Sequence, residues 1–206
     1  MYIRPSALPR DPQHVRDVIR DHMFAVMISN TTDGLFATHL PFLHDADRGE
    51  HGTLVAHLAK ANAHARHLAD GTEVMVIFSG EHGYISPSWY PRRDAAPTWN
   101  YVAIHCYGVP VITPPEETLH AIARLVERME ASRSNRWTLG ELSEDETARL
   151  LRHVVAFEIP LSRIDAKFKL SQAELPENRA ATIDQLERDG EYELARWMRA
   201  TERPGP

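Results

Sequence analysis

The chain has 206 residues, enough for one domain that buries roughly 70% of the surface its unfolded form exposes. Its 43% apolar and 25% charged content is that of an ordinary globular protein, and no apolar run nears the roughly 20 residues of a bilayer-spanning helix, which argues against membrane insertion. A net charge of −6 gives no overall positive field for nucleic acid, and a single cysteine, Cys106, excludes an intramolecular disulfide framework. The opening MYIRPSALPRDP has no apolar signal core, so a cytoplasmic setting is expected.

Asp11-Pro12 reads as an N-cap with proline at the first helical position, and Val15, Val18 and Ile19 supply a short apolar face for a first helix. Residues 24–28 and 35–43 predict a hairpin, because the intervening Asn30-Thr31-Thr32-Asp33-Gly34 has turn chemistry. Residues 53–57 and 73–79 predict two further strands, with 58–68 a helix between them. The longest strand expected is 98–109, which alternates Trp99, Tyr101, Ala103, His105 and Tyr107 with Asn100, Val102, Ile104 and Cys106. Neither face is cleanly polar, so both are expected to be covered.

After Pro114-Pro115, the spacing of Leu119, Ile122, Val126 and Met129 predicts an amphipathic helix to about residue 130. Ser143 with Glu146 fits a capping box opening another helix. Residues 154–159 and 163–170 read as a final pair of strands, and 177–189 and 191–200 as two short helices around Gly190. A helix-turn-helix is disfavoured for that tail, since residues 176–206 carry five arginines and no lysine against seven acids. Without a repeat or a clear linker, residues 1–206 are expected to form one domain, with 176–206 a C-terminal helical appendage.

Residues 84–108 hold two of the four tryptophans and four of the six tyrosines. Such a density suits a planar ligand, and it suits an aromatic-rich barrel wall as well. Lys60 and Asn62 lie where a strand hands over to a helix, the place for an anion such as a phosphate or for a merely solvated lysine. In Lys167-Phe168-Lys169-Leu170-Ser171-Gln172 the alternation puts both lysines on one face, where they can meet a phosphate, a partner subunit or only solvent.

His64 and His67 are three apart on one predicted helix, yet no matched Glu or Cys ligand accompanies them, and no metal is expected. Cys106 in mid-strand reads as a small buried hydrophobe, and Ser86-Pro87-Ser88 lacks the glycines of a nucleophile elbow. No P-loop or GxGxxG is present. Any enzymatic chemistry would therefore come from a cofactor.

The strings GYISPSWYP and APTWNYVAIHCYG, preceded by AHLAKAN and followed by KFKLSQ, resemble the PaiB-type FMN-binding negative transcriptional regulators; MYI and THLPF fit the same pattern. The resemblance runs over nearly the whole chain. It implies an FMN-binding split β-barrel, similar to pyridoxamine-phosphate oxidase, mainly β with flanking and C-terminal helices. It also implies a homodimer with FMN at the subunit interface. By the same resemblance Thr38 and His39 line the flavin, His57, Lys60 and Asn62 lie by its ribityl chain and phosphate, and Trp99, Asn100, Lys167, Lys169 and Gln172 contribute from the long and final strands.

The chain departs from the family pattern at Ala63 and Ala65, where a proline and a tryptophan are usual, and at Ala173, where an asparagine follows LSQ. The expected function is a negative transcriptional regulator with flavin as sensor. An FMN-dependent oxidoreductase using a nicotinamide donor is the alternative. DNA is a possible partner that net charge does not favour.

Overall fold

In a computed structural model, which describes residues 1–201, Asp11 caps the first helix as expected: its Oδ1 accepts from Gln13 N–H at 2.8 Å and Pro12 opens α1 (Pro12–Asp21). The predicted hairpin is present and longer than expected. Strands β1 (Phe24–Thr31) and β2 (Gly34–Pro41) pair antiparallel from Phe24 opposite Pro41 to Thr31 opposite Gly34. The Thr31 hydroxyl closes the turn, donating to Gly34 O at 2.8 Å and accepting from Asp33 N–H at 3.2 Å.

Strands β3 (Leu43–Asp45) and β4 (Thr53–Ala59) follow. The helix expected over 58–68 is absent. β4 runs on to Ala59, and after a turn at Lys60–Asn62 only one turn of 3-10 helix, Ala63–His67, is formed. Leu58 belongs to the ladder, opposite Val155, so its backbone is committed to strand pairing and cannot open a helix.

Strand β5 (Val74–Ile85) extends well past the predicted end, and β6 (Thr98–Gly108) matches its expected span. A two-residue strand, β7 (Val111–Ile112), precedes α2 (Pro115–Glu130), and the capping box of Ser143 and Glu146 opens α3 (Glu144–Leu151). The two final strands expected here are one, β8 (Val154–Lys169). Pro160 does not interrupt it, because it lies at the very end of the β4 ladder, opposite Thr53, where a missing N–H is tolerated. Helices α4 (Pro176–Arg188) and α5 (Tyr192–Ala200) flank Gly190, whose φ of 84° is the left-handed conformation that suits glycine.

The eight strands form one sheet in the order β2-β1-β5-β6-β8-β4-β3, with β7 pairing on β8. The β1–β2, β1–β5, β3–β4, β4–β8 and β7–β8 pairs are antiparallel. Two compact units share these strands. One comprises Met23–Ile77 and Cys106–Ile164; Met27, Leu40, Phe42, Leu54, Val76, Phe157 and Ile159 are buried in it, with Phe42 edge-on to Phe157. The other comprises Met1–His22, Phe78–His105 and the chain from Asp165. There Trp197 of α5 packs edge-on against Phe168 and His14, and Ile183, Leu186, Leu194 and Met198 are buried. The C-terminal helices thus help build that unit's core.

Candidate functional site

The hairpin and the turn after β4 meet at His64. The side chain is fully buried, with Nε2 2.6 Å from Ser29 Oγ and Nδ1 2.8 Å from Thr38 Oγ1. A hydroxyl both donates and accepts, so either neutral tautomer is satisfied. Phe36 packs on the ring at 5.0 Å between centroids. Burial, and secondarily the neighbouring His67, hold the His64 pKa below its ordinary value. The sequence marks His64 only as three residues from His67; the one signal of its role is its place two residues after Asn62, whose Oδ1 accepts from His64 N–H at 3.0 Å.

Asn62 therefore caps the 3-10 turn with its oxygen and keeps its NH₂ as the donor end. Lys60 is exposed beside it, and its N–H is tied to His153 O at 2.8 Å. With one turn of 3-10 helix in place of a full helix, there is little macrodipole to attract an anion. An anion held here would rest on the ammonium and the carboxamide instead. His57, on β4, is half-buried, and burial lowers its pKa. Thr38 is half-buried on β2, and His39 is exposed and stacks on Phe24 with ring centroids 6.2 Å apart. His67 is held by Asp70 at 2.8 Å and lies 3.5 Å from Asp33, beside a groove of about 610 Å³ lined by Asn30, Thr31, Thr32, Arg66, Asp70 and Thr72.

The other unit carries the remaining predicted residues. Trp99 is 54% exposed and stands between His82, stacked at 6.4 Å, and Tyr84, edge-on at 6.1 Å. Asn100 takes the opposite face of β6 and is fully buried: Ser171 Oγ donates to its Oδ1 at 2.9 Å, and its Nδ2 points at Met198 Sδ, 3.4 Å away. Lys167 and Lys169 share the half-exposed face of β8, while Phe168 and Leu170 are buried, as the alternation predicts. Lys169 Nζ donates to Trp99 O at 2.5 Å and to Thr98 Oγ1, and Lys167 Nζ lies 5.1 Å from the centre of the Tyr101 ring. Burial lowers the Lys169 pKa, with Lys167 and Arg4 acting in the same direction.

Gln172 folds back on its own strand, accepting from Leu170 N–H at 2.8 Å and donating to Phe168 O. Arg179 is buried and donates to Leu170 O and Met198 O, which sequence reasoning did not anticipate. Cys106 is buried and its thiol is pushed up to about 12 by burial, which suits a packing residue rather than a nucleophile. Among the described residues no group of three or more His, Cys, Asp or Glu side chains is placed to hold a metal ion, and no helix is long and apolar enough to cross a membrane.

Lys60 and Asn62 in one unit offer donors of the kind a phosphate takes, and in the other unit Trp99 exposes an indole face of the kind a planar ring takes. The antiparallel sheet with its flanking helices makes the fold a split β-barrel. Residues 1–163 match the family model described as "Putative FMN-binding domain". The protease synthase and sporulation protein PAI 2 of Bacillus subtilis is 30% identical over 92% of this chain and 90% of its own length. The chain belongs to this PaiB-type FMN-binding family, and FMN is its cofactor.

Among solved structures, an FAD and heme binding protein from Mycobacterium smegmatis is similar in fold, with a TM-score of 0.61 at 15% identity over 84% of this chain and 78% of that one. A flavocytochrome from Azotobacter vinelandii gives 0.60 at 12% identity, over 84% and 74%. At such identities the likeness concerns the fold alone.

Proposed function

We propose that the protein is a negative transcriptional regulator that uses bound FMN as its sensor. The observation that carries the flavin part is the Lys60–Asn62 turn, which sets an exposed lysine two residues before an asparagine whose oxygen caps the 3-10 turn beside the buried His64. Thr38, His39 and His57 belong to the same unit and line the flavin and its ribityl chain. The regulatory part is supported by the likeness to the Bacillus subtilis protein, which is named a protease synthase and sporulation protein. FMN supplies reversible redox chemistry when bound; the chain's own residues bind it, orient it and limit its contact with water.

The functional unit is a homodimer in the cytoplasm, with FMN at the subunit interface. Half-exposed Tyr101, Ala103 and His105, beside exposed Trp99 on the same face of β6, support a partner surface there. Lys167 and Lys169 present cations to it from β8. Asn100 and Gln172 serve from behind, one fixing the strand and the other the turn that follows β8. Residues 1–206 act as one domain, for which a single cooperative unfolding transition is the expected behaviour.

The test combines a spectrum with a DNA-binding measurement. Purified protein should show the visible absorption of bound flavin and shift promoter DNA at low salt, to different extents with oxidised and reduced flavin. Loss of the shift at every salt concentration would rule out direct repression. An oxidoreductase is the second reading, favoured by the open Trp99 face, where a second planar ring could stack. Anaerobic mixing with NADH or NADPH decides that point, since a flavin that stays oxidised ends it.

A further inference from the structure

We propose that His64 is a positioning residue for the FMN phosphate, which it serves by holding the Lys60–Asn62 turn against the β1–β2 hairpin; this rests on that turn being the phosphate holder. The turn is short and is followed by a single 3-10 turn, which has little stability of its own. Its entrance is fixed by Lys60 N–H on His153 O at 2.8 Å and by Asn62 N–H on Ala59 O at 2.9 Å. Its exit depends on His64. The imidazole is anchored to two strands at once, through Ser29 of β1 and Thr38 of β2, and the same residue's N–H holds the Asn62 carboxamide.

One continuous line of hydrogen bonds therefore runs from the hairpin through the imidazole and its backbone to the Asn62 side chain. Full burial keeps the ring from touching a solvent-side phosphate. Its effect on the cofactor is exerted through Asn62 and Lys60, as an outer partner orients the group that does the binding. Thr38 is bound to the ring by the same arrangement, so a residue assigned to the flavin and the phosphate turn share one anchor.

Comparing FMN with riboflavin, which lacks the phosphate, separates positioning from general stability. In fluorescence titrations, His64→Phe should weaken FMN binding by about tenfold and riboflavin binding by distinctly less, the smaller loss reflecting the freed Thr38. Ser29→Ala, which removes one anchor and is the milder change should His64→Phe not fold, should weaken FMN binding by about three- to tenfold with the same selectivity. His64→Gln, which can keep one hydroxyl bond, should recover part of the loss. Equal losses for both flavins, or unchanged FMN affinity in the folded variants, overturn the role of His64. A wild-type protein that binds FMN no better than riboflavin overturns instead the assignment of Lys60–Asn62 to the phosphate.

Discussion

Ser171 donates its hydroxyl to Oδ1 of Asn100 at 2.9 Å from a backbone with φ of 58°, the one positive φ at a non-glycine position among the described residues. The bond ties the turn after β8 to the buried face of β6. Asn100 has no water to turn to, so its carboxamide depends on Ser171 and on the contact with Met198. Asn100→Leu should lower stability by about 1 to 3 kcal/mol, because the Ser171 hydroxyl loses its acceptor and the new side chain must fit a filled site. Urea denaturation gives the answer, and an unchanged midpoint would show that the bond is dispensable.

Lys60→Ala should weaken FMN binding by about 1 to 3 kcal/mol if its ammonium makes a charge-assisted bond to the phosphate. The side chain is exposed and its backbone bond to His153 O survives the substitution, so folding should be unaffected. A fluorescence titration with unchanged affinity would refute the role.

Acid should destabilise the protein in two stages. His57, His64 and His105 are all held below their ordinary value of 6.5, chiefly by burial. The unfolded chain then takes up protons before the folded one does, so their contribution is fully present above about pH 6.5 and is lost as pH falls through the lower folded values. Asp45 and Glu158 are depressed below 3.8 and 4.5 by hydrogen bonds, to Arg124 first for Asp45 and to Arg48 first for Glu158, and their contribution is lost at still lower pH. Thermal unfolding followed from pH 8 downward should show Tm level at first and declining below about 6.5. A Tm constant to pH 5 would contradict the histidine stage.

Gly108→Ala should be strongly destabilising. A Cβ there would collide with Pro160 O and come within 2.7 Å of Ile159 Cγ2, and the backbone oxygen has no rotamer with which to escape. Overpacking of this kind costs about 1 to 3 kcal/mol. A thermal melt that matches wild type would mean that β6 and β8 can part there without penalty.

The local features of the chain were legible in its residues because each depends on neighbours a few positions away. Asp11 and Ser143 cap helices through bonds within three residues, and α2 follows its 3.6-residue apolar repeat. The period of two in KFKLSQ separates the lysines from Phe168 and Leu170. The same periodicity grouped Asn100 with Val102, Ile104 and Cys106, but the expectation that both faces of β6 are covered does not hold within the chain, which buries this face and leaves Trp99 54% exposed on the other. Two partners on the buried face, Ser171 and Met198, lie 71 and 98 residues from Asn100.

Tertiary pairing overrode local preference elsewhere. Leu58 looked helical and became the Val155 partner in a strand, and the gap expected between residues 159 and 163 is closed, with Pro160 at a ladder end that asks nothing of its missing N–H. His64 is the clearest case. Nothing in ANAHARH distinguishes it from a surface histidine, and its burial exists only because β1 and β2 bring Ser29 and Thr38 to its two nitrogens. Composition and short-range pattern determine what a segment can form. Which polar groups become buried is decided by long-range contacts that alone can replace the hydrogen bonds water would otherwise supply.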